Sequence, residues 1–182
     1  MLLSSLNSFI SKFNKEMDIV KMSTDWAKAE VFSGKIVWLF SVVYIVTAIG
    51  FWYFGRTTMA KAFVLPFLIA GVFLVAIGAG LFFTNKPRIE RFQKEYHQNP
   101  NAFVHQEIQR TAESKKQLTL VFRILPVIII VAALIILLLP DSTYWRAIGI
   151  TIIATAAFLM VVDSNTDSRN SIYHSQLSSL KP

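Results

Sequence analysis

The run KPRIERFQKEYHQNPNAFVHQEIQRTAESKK, residues 86–116, decides how this chain is read, because a pair of long apolar segments lies on each side of it. It carries Lys86, Arg88, Arg91, Lys94, Arg110, Lys115 and Lys116, with Arg123 just beyond. Basic residues concentrated beside apolar spans mark the face that a membrane protein keeps in the cytoplasm. Working outward, residues 36–55 and 62–84 precede the run and residues 118–139 and 147–162 follow it. A helix of about 20 residues rising about 1.5 Å each matches a hydrocarbon core of about 30 Å. The fourth segment is shorter, which favours little tilt or local thinning of the bilayer.

Composition leads to the same class. The 182 residues are 54% apolar and 16% charged, with mean hydropathy +0.50, too apolar and too segregated for a soluble domain of this length. The net charge of +7 is explained by basic residues flanking the spans and facing anionic headgroups, so nucleic acid is not the expected partner. The chain has no cysteine, which excludes disulfides, thiolate zinc sites and membrane thiol oxidoreductase chemistry.

The expected fold is therefore all-α and polytopic, with four transmembrane helices as two antiparallel hairpins. Its divisions are residues 1–34, an amphipathic cytosolic region; 35–85, the first transmembrane hairpin; 86–117, a cytosolic helical hairpin; 118–162, the second transmembrane hairpin; and 163–182, a polar cytosolic tail. Near the start, Leu2, Leu6, Phe9, Phe13, Met17 and Val20 recur at helical spacing opposite Ser, Asn, Lys and Glu, the pattern of an amphipathic helix. This start lacks the basic flank and small-residue cleavage site of a signal peptide and is expected to persist in the mature protein. Ser23, Thr24 and Asp25 are N-cap types, so a new short helix is expected there, with Trp26 at the headgroup level.

Within residues 86–117, Asn85 and Pro87 suit a helix start, Asn99 and Pro100 a break, and Asn101 a second start. Pro126 predicts a kink or restart in the third span. The Ser-, Asn- and Asp-rich tail has Tyr173, Leu177 and Leu180 at spacings that permit a short, frayed helix.

Fifteen of the eighteen Lys and Arg lie in the N-terminal region, in the central run counted together with Arg123, or in the tail, and only Arg56, Lys61 and Arg146 lie in the two opposite turns. Both termini and residues 86–117 are accordingly expected in the cytoplasm, with the chain in a cytoplasmic membrane of the bacterial inner-membrane type.

Candidate functional residues fall into three sets. Gly71, Ala76, Gly78 and Gly80 on the second span, and Ala147, Thr151 and Thr155 on the fourth, form small-residue faces suited to close helix packing within the chain or in a homo-oligomer. Phe9, Phe13, Phe92, Tyr96 and Ile108 are the apolar residues expected to face a protein partner from the cytosolic helices. Glu90, His97, His105 and Glu107 are the only grouping of metal-ligating types, but they share no HExxH or ExxH spacing, and basic residues compete for the carboxylates. No cofactor is expected.

No ionisable residue sits at mid-depth in a span, no span carries a histidine for haem, and no broken span pairs with another, which argues against a carrier or cytochrome. The function expected from sequence is a non-enzymatic membrane accessory or interaction protein, of which an immunity-type or regulatory protein is one form. Two alternatives are a small oligomeric channel lined by Thr47, Thr151 and Thr155, and a metal-dependent membrane enzyme using the Glu/His grouping.

Overall fold

A computed structural model describes the backbone of residues 2–179 and the side chains of residues 17–179. Four helices account for nearly all of it: α1 (Leu2–Phe54), α2 (Thr58–Gln98), α3 (Pro100–Leu138) and α4 (Thr143–Ser179). All four contain segments long and apolar enough to cross a membrane.

The helices are longer than the spans they contain. At about 1.5 Å per residue, the 41 residues of α2 reach about 60 Å, twice the hydrocarbon thickness. α2 passes through Asn85 and Pro87 without a break, and α3 passes through Pro126. α1 likewise runs through Ser23, whose hydroxyl donates back to the Ile19 carbonyl at 2.8 Å instead of capping a new helix. Residues 163–179 continue α4.

The turns between helices are short and capped. Thr57 Oγ1 accepts from the Ala60 amide at 3.1 Å to start α2. Asn99 alone separates α2 from α3: its backbone is extended, its Oδ1 accepts from the Ala102 amide at 3.0 Å, and Pro100 follows in the first turn, where a missing donor costs nothing. Ser142 opens α4, with its Oγ 3.4 Å from the Trp145 amide. Trp52, Tyr53, Phe54, Tyr144 and Trp145 stand exposed around the α1–α2 and α3–α4 turns.

Packing divides the molecule into two tiers. In the apolar tier α1 and α2 lie closest, with numbers rising along one as they fall along the other. A Cβ built on Gly34 would lie 3.1 Å from the Gly78 carbonyl, and one on Gly71 would lie 2.7 Å from Ile45. Trp38 Nε1 donates to the Val75 carbonyl at 3.2 Å. Val37, Tyr44, Leu74 and Val162 form the core here, drawn from α1, α2 and α4. α3 contributes nothing to it; only about 6% of its most apolar window is buried, against 22–39% for the other three helices.

The second tier draws on all four helices. Ile19, Trp26 and Ala27 from α1, Phe92 and Tyr96 from α2, Phe103 from α3, and Tyr173 and Leu177 from α4 form one buried cluster. α2 and α3 meet near their shared turn, where Phe92 and Tyr96 pack against Phe103 at ring separations of 5.5 and 5.7 Å. Farther along, the two helices make few contacts and are held mainly through α4.

Candidate functional site

The second tier is held together by a buried polar network. Glu30 on α1 is 2% exposed; its Oε1 accepts from Arg169 of α4 at 2.9 and 3.2 Å, and Arg169 also donates to Ser33 at 2.8 Å. Glu107 on α3, 6% exposed, accepts from Arg110 with both carboxylate oxygens, the shortest contact being 2.7 Å. The Tyr173 hydroxyl lies 2.9 Å from Glu107 Oε2 and 2.8 Å from Ser23 Oγ, joining α4 to α3 and α1. Asn170 donates to the Thr111 carbonyl at 2.9 Å, and Thr111 Oγ1 lies 2.7 Å from His174 Nδ1.

Aromatic stacking reinforces this network. Trp26 stacks on Tyr173 with ring centroids 5.5 Å apart, and the Arg110 guanidinium sits 3.9 Å from the Trp26 ring centroid. A guanidinium over an indole face is favourable, and more so when shielded from water. Burial first, and then the adjacent Glu107 charge, raise the Tyr173 pKa well above that of an ordinary phenol, so its hydroxyl stays protonated and able to donate.

Where this tier meets the apolar one, a cavity of about 570 Å³ opens between the helices. Its wall includes Trp26, Glu30, Asn85, Arg88, Arg110, Glu113 and Asp163. Arg88 donates to Asn85 Oδ1 at 2.8 Å but forms no ion pair among the described residues. Burial, followed by the nearby Arg110 charge, lowers its pKa from the usual arginine value. Asp163, the first residue past the fourth apolar segment, also has no ion-pair partner among the described residues. Burial and then the Glu30 charge push its carboxyl up to about 6.

A second cavity, of about 430 Å³, lies deeper in the apolar tier between α2, α3 and α4, walled by residues such as Ile69, Phe73, Ile128, Ile152 and Leu159. The two cavities follow one another along the same cleft. Ile77 of the upper and Phe73 of the lower are one helical turn apart on α2; Val121 and Leu125 are so related on α3, and Asp163 and Leu159 on α4. Together they make a slot that is charged at one end and apolar at the other.

The residues singled out from sequence are distributed differently from expectation. Phe92 and Tyr96, expected to face a partner, are 2% and 4% exposed in the core of the four-helix tier, and Ile108 packs against the same core. Their helical face is taken up by α1 and α4. Phe9 and Phe13 lie outside the residues whose side chains are described. Trp26, expected at the headgroup level, is 7% exposed and lies in that core.

Of the metal-ligating types, Glu90, His97 and His105 are exposed, while Glu107 is buried and engaged by Arg110 and Tyr173. Among the described residues no three His, Asp or Glu side chains converge on one point. Gly71 and Gly78 are buried against α1, whereas Ala76 and Gly80 are exposed. Ala147, Thr151 and Thr155 are buried within the chain. The Thr47, Thr151 and Thr155 hydroxyls each donate to a carbonyl one turn back on their own helix, at 2.7–2.9 Å.

Sequence reasoning missed Ser23, Glu30, Asp163, Arg169, Asn170 and Tyr173 as parts of one constellation. The sequence carries only a faint signal for the α4 members: Tyr173 and Leu177, four apart in a segment otherwise polar, mark one buried stripe, and nothing in the local pattern ties Ser23 or Glu30 to it. No protein-family model, curated protein or solved structure matches this chain.

Proposed function

We infer that the chain is a non-enzymatic integral membrane accessory protein. Its four apolar segments span a cytoplasmic membrane as two antiparallel hairpins, with both termini and residues 86–117 on the cytoplasmic side, and its helices extend inward as a preformed platform. One observation carries this reading. The buried charged groups of the platform are consumed in joining its helices, Glu30 with Arg169 and Glu107 with Arg110 and Tyr173, so they support a scaffold rather than a reaction centre. Breaking such pairs is costly, which makes them poor candidates for groups that cycle during catalysis.

With Phe92, Tyr96 and Ile108 in the core, partner recognition belongs to the surfaces left over: the charged exterior of the platform, the uncovered apolar face of α3, and the slot between α2, α3 and α4. The basic balance beside the spans supports the orientation.

The test exploits the absence of native cysteine. Single Asp141→Cys and Lys94→Cys variants are treated in intact cells with a membrane-impermeant maleimide. Labelling at position 141 but not at 94 is the expected result; labelling at 94 from outside overturns the orientation, and release of the chain by alkaline wash overturns the membrane assignment. Photo-crosslinkers at Ile130 on α3 and Ile172 on α4, both exposed, then report whether a protein partner lies in the membrane or on the platform.

A further inference from the structure

The slot has an unusual electrostatic inventory. Two of its acidic and basic wall residues are already neutralised, Glu30 by Arg169 and Arg110 by Glu107. What remains facing the cavity is one cation on α2, Arg88, one carboxylate on α4, Asp163, and a further carboxylate at the exposed rim, Glu113. Arg88 lies one turn beyond Thr84, the end of the second apolar segment, and Asp163 directly follows the fourth. One turn deeper the slot becomes almost wholly apolar.

From this the geometry points to a zwitterionic phospholipid with a primary-amine headgroup, its phosphate on Arg88, its ammonium on Asp163 and an acyl chain in the lower cavity. The inference rests on the membrane reading above and names the ligand class of the slot. A guanidinium binds phosphate through charge-assisted, paired N–H bonds. A carboxylate in a half-buried wall accepts strongly from an ammonium N–H.

The competing headgroups fit less well. An anionic lipid without an amine places its phosphate near Asp163 and Glu113 with nothing to offset them. A choline headgroup offers no N–H to Asp163 and is best held by open aromatic faces, whereas Trp26 here is already engaged by Tyr173 and Arg110. The lower cavity, with walls from three helices, supplies contact for a chain that bulk lipid around α3 does not.

The experiment uses the full chain in mild detergent, offered equal amounts of synthetic phosphatidylethanolamine, phosphatidylcholine and phosphatidylglycerol with identical acyl chains, and read by native mass spectrometry. The expected result is at least threefold preference for phosphatidylethanolamine. Arg88→Gln should cut retained phospholipid about tenfold, and Asp163→Asn should leave lipid bound while levelling the ethanolamine and choline forms. Ile128→Trp, which fills the lower cavity, should reduce binding of all three.

Helix content and a single elution peak confirm that each variant is folded, and the wild-type preference stands as a measurement independent of any variant. Equal retention of the three lipids by the wild type, or preference for phosphatidylglycerol, overturns the inference while leaving the membrane reading intact. Release of the chain from membranes by alkaline wash overturns both.

Discussion

The two tiers of this molecule are built from the same four helices but held by different physics. In the four-helix tier every helix contributes to one core, and charged and polar side chains bridge between helices: Tyr173 by itself reaches α1 and α3 from α4. In the apolar tier α1 and α2 approach through Gly34, Gly71 and Gly78, α4 joins their core, and α3 packs on α4 at Gly149 but stays outside that core. Water makes burial of Phe92 and Leu177 favourable in the first. On the membrane reading proposed above, lipid removes that drive in the second, so close backbone approach and shape must substitute. On that reading one tier is closed by sequestration from water, and the other is left partly open because its surroundings are themselves apolar.

That contrast can be broken at its strongest point first. Glu107→Ala strands Arg110 and removes the acceptor of Tyr173, and should cost about 4 kcal/mol. Amide exchange should accelerate throughout the four-helix tier while the α1–α2 contact around Gly78 keeps its protection. Leu177→Ala, at a site with no exposure, should lower stability by about 3 kcal/mol, measured as a drop in the thermal midpoint in detergent; a silent result would show that the last turns of α4 are not part of the core.

In the apolar tier Gly78→Leu places a side chain where even a Cβ lies 2.5 Å from Trp38, with an expected cost of about 2 kcal/mol and loss of the Trp38 contact, read by its fluorescence. By contrast Leu134→Ala, on the half-exposed face of α3, should stay within about 0.5 kcal/mol.

The smallest effect concerns pH. Because the Asp163 carboxyl is pushed up to about 6 in the folded chain from an ordinary 3.8, the folded state holds the extra proton between those values. Its contribution to stability is therefore greatest below about pH 4 and is lost as pH rises through 6. Asp163→Asn should flatten that slope and give a slightly higher thermal midpoint at pH 7 than the parent chain.

The existence of four membrane-length apolar helices was legible because long apolar runs have few other uses. Where the helices end was not. Ser23, Asn85 and the stretch from Asp163 to Asn170 are residues whose side chains compete with the helical backbone, and read locally they signal caps and loops. In the fold Ser23 is consumed by Ile19 and Tyr173, Asn85 by Leu81 and Arg88, and Asn170 by Thr111. Tertiary partners overrode local preference.

The same blindness explains why Phe92 and Tyr96 read as a free face. Periodicity reveals that a helix has an apolar side, but not that another helix of the same chain already covers it. Asp163 could be seen only as the first polar residue after a span, since the Glu30 charge that acts on it in the fold lies 133 positions away in the chain.

Asn99 has a mechanical corollary. It is the single non-helical residue between two rods of 41 and 39 residues, and over about 60 Å of helix each degree of change in the angle at that joint displaces the far ends by about 1 Å. A one-residue joint cannot by itself fix an opening at that distance. The gape between α2 and α3 is set instead by α4, the strut that grips both, so a perturbation of α4 acts on the width of the slot with the full length of the lever.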